Sequence, residues 1–220
     1  PIFIKIFFNF LSLSFSSSKN TKSHSKDHLS ASIQEMGTTF IKLGQFLATR
    51  PDIIGEKLSK KLESLQDKLP PFSKKEAEKI IIENLGQSNF DNIIDFSDPI
   101  AAASIAQVHK AKIKEDNIIK NVAIKVLRPD IKKIFNEEID AIMLLAYIVE
   151  SLITKTKRLK LIEVTFLFKE ITNHEMDLRF EAAAANEYAE NTKNDLGFIV
   201  PKIYWNFTSE SVLTLDWIDG

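Results

Sequence analysis

A lysine lies inside an apolar stretch, Val122–Leu127, whose other members all suit a buried β-strand. Side chains alternate along a strand, so one face carries both valines and Ile124, while the other carries Lys125 between Ala123 and Leu127. An unpaired charge is costly to bury. Lys125 must therefore meet a carboxylate, bind an anionic ligand or lie on an exposed edge, and these three alternatives limit what the surrounding sheet can do.

Composition restricts the class of protein. The chain has 220 residues, of which 44% are hydrophobic and 27% charged, which is typical of a globular protein with ample material for a core. A formal net charge of -1 argues against electrostatically driven binding, so no nucleic acid partner is expected. The chain has no cysteine, which excludes disulfides and thiolate chemistry, and its four scattered histidines offer no metal-ligand spacing. No metal site is expected within this segment.

Residues 1–30 differ in composition from the rest of the chain. An apolar run reaches Phe15 and is followed by a segment rich in Ser, Lys, Asn and Asp. The run is shorter than a membrane span, so it favours an interfacial segment or a truncated helix, with a signal-peptide core as the alternative. We expect residues 1–30 to be an apolar N-terminus followed by a flexible linker.

Residues 31–95 show helical periodicity. Three- and four-residue steps predict one amphipathic helix between Ser32 and Arg50, with its apolar seam at Ile33, Met36, Phe40, Leu43 and Leu47. Gly37 and Gly44 flank the seam and suggest a close approach by another backbone. Spacing places Lys42 and Gln45 opposite the seam, in solvent. Further helices are predicted around Leu58 to Leu65 and from Lys74 to Asn84.

From residue 96 the pattern becomes strand-like. Residues 100–109, a turn at 115–117 and the Lys125 strand predict an antiparallel ribbon of three strands. A helix should follow Asp130 to about Ile153, and a longer one should run from about Glu163 to Asn191. Two further strands are predicted at Val200–Trp205 and Val212–Ile218. The result is an α+β fold with about five antiparallel strands.

The long predicted helix carries acidic residues that need compensation. Asp177 and Glu181 are four residues apart, and like charges at that spacing repel unless a cation lies between them. Lys42 could be that cation, and Lys125 could pair with Glu175.

Several strings together resemble the UbiB family of atypical protein-kinase-like proteins over about residues 30 to 220. Phe40–Gln45 is similar to that family's KxGQ signature, and Leu65–Phe72 resembles the segment that follows it. Ala101–Ser104 resembles the alanine-rich loop that replaces a glycine-rich phosphate loop, and Glu175–Asp177 resembles the ExD motif. The strand Val122–Lys125 is similar to the VAIK strand of protein kinases.

The resemblance implies a kinase-like N-lobe, residues 96–220, with a helix-C equivalent, preceded by a helical KxGQ extension, residues 31–95. Lys125 would hold the phosphates of ATP and Glu175 would be its ion-pair partner, these two being the implied catalytic residues. The other implied nucleotide-binding residues are Ala101, Ala102, Ala103, Ser104, Asp216, Trp217 and Ile218. The implied regulatory residues are Lys42, Gly44, Gln45, Asp177 and Glu181. In this arrangement Lys42 and Gln45 would point inward over the nucleotide cleft, which conflicts with their spacing.

The alanine-rich loop has a physical consequence. Glycines allow backbone N–H groups to wrap around a phosphate at positive φ, a conformation that is unfavourable for alanine. ATP would therefore bind differently from its mode in typical kinases.

The resemblance also implies a role. The family suggests an ATPase-like factor that supports ubiquinone biosynthesis, located peripherally at the cytoplasmic face of a bacterial inner membrane or its mitochondrial equivalent. Its partners would be membrane or prenyl-lipid quinone precursors and other ubiquinone-biosynthesis proteins. The sequence stops at the hinge, so the ligands of Mg2+ are expected in a C-lobe that it lacks, and this segment alone should be inactive. The alternatives are a pseudokinase scaffold that binds lipid or proteins and an inactive split-gene fragment.

Overall fold

A computed structural model describes residue 33, residues 35–63, residue 65, residues 69–195 and residues 197–219. The predicted apolar N-terminus and linker, residues 1–30, lie outside the described residues. Contacts divide the chain into two compact units, each drawn from two stretches. The first unit comprises residues up to Asp67 and Lys132–Ile171, and the second comprises Lys68–Ile131 and Thr172–Gly220. The predicted division into residues 31–95 and 96–220 remains a prediction.

The first unit is helical. Its elements are α1 (Thr38–Ala48), α2 (Pro51–Ile54), α3 (Glu56–Leu62), α6 (Ile131–Leu152), a 3-10 helix (Thr154–Leu159) and α7 (Leu161–Glu175), whose last turn belongs to the second unit. The ring of Phe168 in α7 packs against Phe135 of α6 and Phe46 of α1, with centroids 5.7 and 5.5 Å apart. None of the helices in the described part of the chain combines the length and hydrophobicity required to cross a membrane.

The second unit contains the sheet. Its helices are α4 (Lys74–Leu85), α5 (Gln87–Phe90), α8 (Leu178–Thr192) and a 3-10 helix (Trp205–Phe207). Its strands are β1 (Ile93–Ile94), β2 (Pro99–Ala102), β3 (Ala106–Glu115), β4 (Ile118–Leu127) and β5 (Val212–Asp216). Among the described residues these form an antiparallel sheet of five strands in the order β1-β3-β4-β5, with β2 also paired to β3. The predicted fold class is confirmed.

The hairpin of β3 and β4 sets the register that places Lys125. Asp116 and Asn117 form its two-residue turn at φ 50° and 61°, the left-handed conformation that Asn and Asp tolerate best among non-glycine residues. Lys125 pairs with Val108 on one side and with Leu213 of β5 on the other. We call this side of the sheet the lysine face, and its members in the three central strands are Val108, Lys110, Ala123, Lys125, Leu213 and Leu215.

The opposite side, the core face, packs against α4. Ile124 is fully buried there, and such a side chain contributes about 1.5–3 kcal/mol relative to an exposed position. Ser73 caps α4 and forms a reciprocal capping box with Glu76, which fixes where the helix begins. The buried cluster consists of Ala77, Ile81, Ile93, Ala111, Ile113, Val122, Ile124, Val126, Tyr204, Phe207 and Val212.

Two predicted elements are wrong. The single helix predicted from Glu163 to Asn191 is two helices, because Asp177 leaves helical geometry at φ -119° and caps α8. The strand predicted at Val200–Trp205 contributes only an isolated bridge between Ile203 and Leu215 before a 3-10 helix begins. The sheet still has five strands among the described residues because the two-residue strand β1, which was not predicted, replaces it.

A buried polar network ties the segment before α4 to the core face. Gln107 accepts a hydrogen bond from the Phe72 N–H at 2.9 Å and donates one to the Phe72 carbonyl at 3.2 Å. His109 Nδ1 lies 2.9 Å from the Ser97 carbonyl, so it carries the proton, and Nε2 accepts from the Gln107 amide at 2.9 Å. Phe96 stacks on the imidazole. This network requires a neutral His109.

We expect His109 to make stability depend on pH. Burial lowers the pKa of His109 below its ordinary value of 6.5 and Lys74 lowers it further, although the Ser97 carbonyl, Asp98 and Glu78 raise it. The unfolded chain therefore takes up a proton first, so the stabilisation is complete above about pH 6.5 and is lost as pH falls towards the folded-state pKa. When the pH is lowered from 7 to 5, the free energy of unfolding of the unaltered chain, measured with urea, should fall by on the order of 1 kcal/mol more than that of the His109→Gln variant. Equal losses would contradict the network.

Candidate functional site

Lys125 forms an ion pair across the lysine face. Its Nζ lies 2.7 Å from Oε2 of Glu181 on α8, and the two side chains are 27% and 49% exposed. α8 lies against β5 and buries Leu178 and Ala182, which positions Glu181 beside the sheet. A pair this exposed contributes at most about 1 kcal/mol to stability. The pair therefore orients the ammonium rather than holding the fold together.

The predicted partner of Lys125, Glu175, is wrong. Glu175 is the last residue of α7, and the chain changes direction at Met176 and Asp177 before α8 begins. Met176 is buried and anchors this break. Among the described residues, the carboxylate that contacts the ammonium is that of Glu181, on the next helix. Glu175 remains part of the ExD segment, and its predicted catalytic role stays a prediction.

In the structure, Asp177 and Glu181 each have a cationic partner. Asp177 is the N-cap of α8, where its carboxylate accepts from the Arg179 N–H at 3.1 Å and pairs with the Arg179 guanidinium at 2.6 Å. Glu181 pairs with Lys125 instead. Two cations thus accompany the two carboxylates, and a contribution from Lys42 stays a prediction.

The lysine face is partly open. Leu213 is buried beneath α8, whereas Val108, Ala123 and Leu215 remain half-buried. Lys110 Nζ lies 4.2 Å from the centroid of the Trp217 ring, a cation–π contact that folds the indole onto this side of the sheet. The face therefore offers small apolar side chains at its centre, a cation on one side and an aromatic ring on the other.

The alanine-rich loop is held by Arg128. The guanidinium donates to the Ala103 carbonyl at 2.8 and 3.1 Å and to the Pro70 carbonyl at 3.0 Å. The Ala103 N–H is used within the loop, since it donates to the Ala106 carbonyl at 2.8 Å. Ala101 is exposed and Ala102 and Ala103 are half-buried, whereas the fourth predicted nucleotide-binding residue of the loop, Ser104, is fully buried.

The loop does not adopt the geometry of a glycine-rich loop. None of Ala101–Ile105, all of which the structure describes, has positive φ. A phosphate can therefore meet the surface of the loop, but backbone N–H groups cannot wrap around it as they do at glycines.

The predicted hinge continues from β5. The Asp216 N–H donates to the Lys202 carbonyl and the Trp217 N–H donates to the Asn121 carbonyl, so both N–H groups are already used in backbone hydrogen bonds. The Asp216 carboxylate accepts from the Tyr204 hydroxyl at 2.5 Å on the core face, and burial together with this bond raises the pKa of Tyr204. Ile218 is 45% exposed. A base bound at this segment would have to use backbone groups other than these two N–H groups.

The KxGQ residues lie on α1 in the first unit. The predicted apolar seam is wrong, because Gly37 has φ 113° and begins the helix, and the buried residues are Thr39, Ile41 and Gly44. Lys42 and Gln45, which spacing placed in solvent, are half-buried. A Cβ at Gly44 would lie 2.3 Å from Cδ1 of Leu65, so the predicted close approach is real, although the neighbour is a side chain and not backbone.

Sequence reasoning missed two residues of this site, Arg128 and Lys110. Arg128 directly follows the apolar stretch that contains Lys125 and was given no predicted role, yet its guanidinium fixes the alanine-rich loop. Lys110 lies on β3 two residues from Val108, so the alternation of side chains that identified Lys125 could have placed it on the same face.

The arrangement can bind an anion beside a flat apolar group. A half-buried ammonium attracts phosphate oxygens more strongly than a solvated one, and the adjoining face of Val108 and Ala123 suits a planar ring. Within the residues described, no cluster of three or more His, Asp or Glu side chains could hold a metal ion.

Comparisons with known proteins show which family the chain resembles in sequence. Residues 64–220 match the family model described as the ABC1 atypical kinase-like domain. The chain is 36% identical over 195 residues to the "Probable protein kinase UbiB" of Marinobacter nauticus, covering 88% of this chain and 35% of that protein. Proteins of the same name from Cellvibrio japonicus and Tolumonas auensis are 35% and 39% identical, covering 88% and 84% of this chain and 35% and 34% of their own length. The chain thus spans about a third of the length of these curated relatives.

Proposed function

This chain belongs to the ABC1 atypical kinase-like family, and from that premise we propose that the lysine face of its sheet binds ATP. The observation that carries the proposal is the 2.7 Å ion pair between Lys125 and Glu181, which aims an ammonium at the open part of the face. Kinase-like lobes use a lysine and a helix glutamate in this way to position nucleotide phosphates.

The remaining contacts follow from the surrounding residues. The adenine ring would lie against Val108 and Ala123, with its edge towards the hinge backbone around Ile218. The phosphates would pass beneath the alanine-rich loop towards Lys125. The Arg128 hydrogen bonds keep that loop in one conformation, so binding should require little loop rearrangement.

We also propose roles for Mg2+ and for Lys125 and Glu181 in phosphoryl transfer. Mg2+, when bound, would neutralise charge on the phosphates during phosphoryl transfer. We expect its ligands to come from the part of the protein that corresponds to the remaining two thirds of the relatives' length. Lys125 would orient the phosphates, and Glu181 would orient Lys125.

The biological role and location rest on resemblance. We propose that the protein supports ubiquinone biosynthesis at a membrane, as a peripheral protein whose partners are prenyl-lipid quinone precursors or other proteins of that process. The support is the match to relatives named "Probable protein kinase UbiB".

One observation favours a second candidate function, a pseudokinase scaffold. The Ala103 N–H is already bonded and the loop has no positive φ among its residues, so the usual phosphate cradle is not built. A scaffold would keep the lobe but use it to bind lipid or protein. ATP hydrolysis by the full-length gene product distinguishes the two, because a scaffold should hydrolyse none.

We expect the full-length gene product to bind ATP and ADP saturably in calorimetric titrations. Inorganic tripolyphosphate is the matched control, because it offers the same negative charge without the base. A site built from Lys125 together with an apolar face should prefer the nucleotide. No binding of ATP would contradict the proposal. Equal affinities for ATP and tripolyphosphate would show that the lysine face binds the phosphates but not the base.

A further inference from the structure

The cation–π contact between Lys110 and Trp217 closes one end of the lysine face. Lys110 pairs with Ala123 from the β3 side of β4, and the Trp217 N–H donates to the Asn121 carbonyl from the β5 side. The two side chains therefore reach towards each other across β4, and the Lys110 ammonium lies 4.2 Å from the centroid of the indole ring. We call these two side chains the end wall.

A second contact orients the ring of the end wall. The indole N–H of Trp217 donates to the Asp219 carboxylate at 2.6 Å. The ring is thus held by a cation on one face and by a hydrogen bond at its edge. Trp217 is only half-buried, so protein does not enclose the ring. An aromatic ring that is oriented in this way beside an apolar surface is suited to stack on another planar ring.

The distance from the end wall to Lys125 limits what can lie between them. Trp217 is level with Asn121, which is four residues from Lys125 and so about 13 Å away along the strand. Ala123 lies midway and presents only a methyl group. A nucleotide whose phosphates meet Lys125 would place its base over Ala123, with the far edge of the base towards the indole. A fused two-ring base extends further from the ribose than a single ring, so a purine can contact the indole where a pyrimidine leaves a gap.

We propose that the Lys110–Trp217 end wall selects purine nucleotides, because the indole stacks on the base. The inference rests on the ATP binding proposed above and names the residues that set the preference for one class of base. Trp217 contacts the base and is a specificity-determining residue, whereas Lys110 acts through the ring and is a positioning residue. Stacking requires no particular hydrogen-bonding pattern on the edge of the base. It therefore suits a hinge in which the Asp216 and Trp217 N–H groups are already bonded.

Calorimetric titration of the full-length gene product with ATP and CTP tests the end wall. The two nucleotides carry the same ribose and triphosphate and differ in the base alone. ATP should bind about tenfold more tightly than CTP. Trp217→Leu should reduce this preference to a few-fold by weakening ATP binding, and it should leave the affinity for tripolyphosphate unchanged. Trp217→Phe keeps an aromatic ring and should restore most of the preference.

The role of Lys110 is tested by the same ratio of affinities. Lys110→Met should lower the preference for ATP over CTP a few-fold, since the indole loses the cation that holds it. Combining Lys110→Met with Trp217→Leu should lower the preference no further than Trp217→Leu alone. Lys112→Met is the matched control, because Lys112 shares the alternation of β3 with Lys110 but pairs with Asp95 at 2.6 Å. It should keep the full preference.

Tryptophan fluorescence gives a reading of contact that a purely structural role would not change. ATP should quench part of the emission of the unaltered protein, and CTP should quench less of it. Trp217→Leu should remove this difference. Trp205→Leu, which replaces the second of the two tryptophans among the 220 residues, should keep it.

The outcomes separate this inference from the proposal of ATP binding. If the unaltered protein binds no ATP, both are refuted. If ATP binds but CTP binds equally tightly, or if Trp217→Leu changes neither the ratio of affinities nor the quenching, ATP binding stands and the end wall does not select the base. An equal loss of affinity for ATP, CTP and tripolyphosphate in Trp217→Leu would also overturn the inference, because the indole would then support the sheet and not contact the base.

Discussion

Lys125→Met in the full-length gene product is expected to lower its affinity for ATP by about tenfold to a hundredfold. Methionine keeps the length and apolar character of the lysine stem but removes the charge that would meet the phosphates. The Lys125 side chain is 27% exposed and its ammonium is already oriented by Glu181, so the loss should appear in binding and not in folding. Calorimetric titration with ATP measures the change.

Lys114→Met is the matched control for this substitution. Lys114 lies on β3 in the same alternation as Val108, six residues away, which is about 20 Å along the strand. A general loss of positive charge would weaken binding in both variants equally. If Lys125→Met binds ATP as tightly as the unaltered protein, the lysine face does not hold the phosphates.

The contribution of Glu181, the partner of Lys125, can be measured by the same calorimetric titration. Glu181→Gln should weaken ATP binding only a few-fold, because a partly exposed pair is worth at most about 1 kcal/mol. The double variant with Lys125→Met should bind no more weakly than Lys125→Met alone, since Glu181 acts through the lysine. Glu175→Gln should show no such coupling, because Glu181 and not Glu175 contacts the ammonium.

The sheet was predictable because strands obey a local rule. Alternation placed Lys125 opposite Val122, Ile124 and Val126, and the structure buries those three completely while leaving Lys125 half-buried. The polar turn at 115–117 likewise marked where β3 reverses into β4. These features depend on neighbours in sequence, which a single chain displays directly.

Long-range packing explains the errors. The break between α7 and α8 depends on Met176 being buried and on Asp177 accepting from the Arg179 N–H. An aspartate inside an acidic helical pattern does not distinguish a cap from a solvated position, so periodicity continued the helix through it. Glu175 was predicted from its place in the ExD segment, whereas the structure pairs Lys125 with Glu181 on the helix that follows.

The parts of the site that escaped prediction are held by contacts between distant residues. Arg128 bonds the carbonyls of Ala103 and Pro70, which are 25 and 58 residues away in sequence. Gln107 bonds Phe72 across 35 residues. Neither contact produces a periodic pattern in the sequence. The loop and the hinge were predicted because their own residues resemble short strings of the family.

Gly44→Val is expected to destabilise the first unit by about 2–3 kcal/mol. A Cβ at this position would lie 2.3 Å from Cδ1 of Leu65, and Leu65 is only 6% exposed, so its side chain has little room to move away. Helix propensity alone predicts the opposite sign, since valine is more favourable than glycine within a helix by a few tenths of a kcal/mol. A loss of stability would therefore report the close packing of α1. Urea unfolding, together with hydrogen exchange of α1, measures it.

Two variants make this result specific to the contact. Gly197→Val introduces the same side chain where no heavy atom lies within 4 Å of the new Cβ, so it should leave stability nearly unchanged. Adding Leu65→Ala to Gly44→Val removes the atom that clashes, and the double variant should be more stable than the two separate losses would predict by summation. If Gly44→Val is as stable as the unaltered chain, or if the two losses are additive, Gly44 is not required for the packing of Leu65 against α1. The glycine of the KxGQ segment would then need an explanation in ligand binding and not in folding.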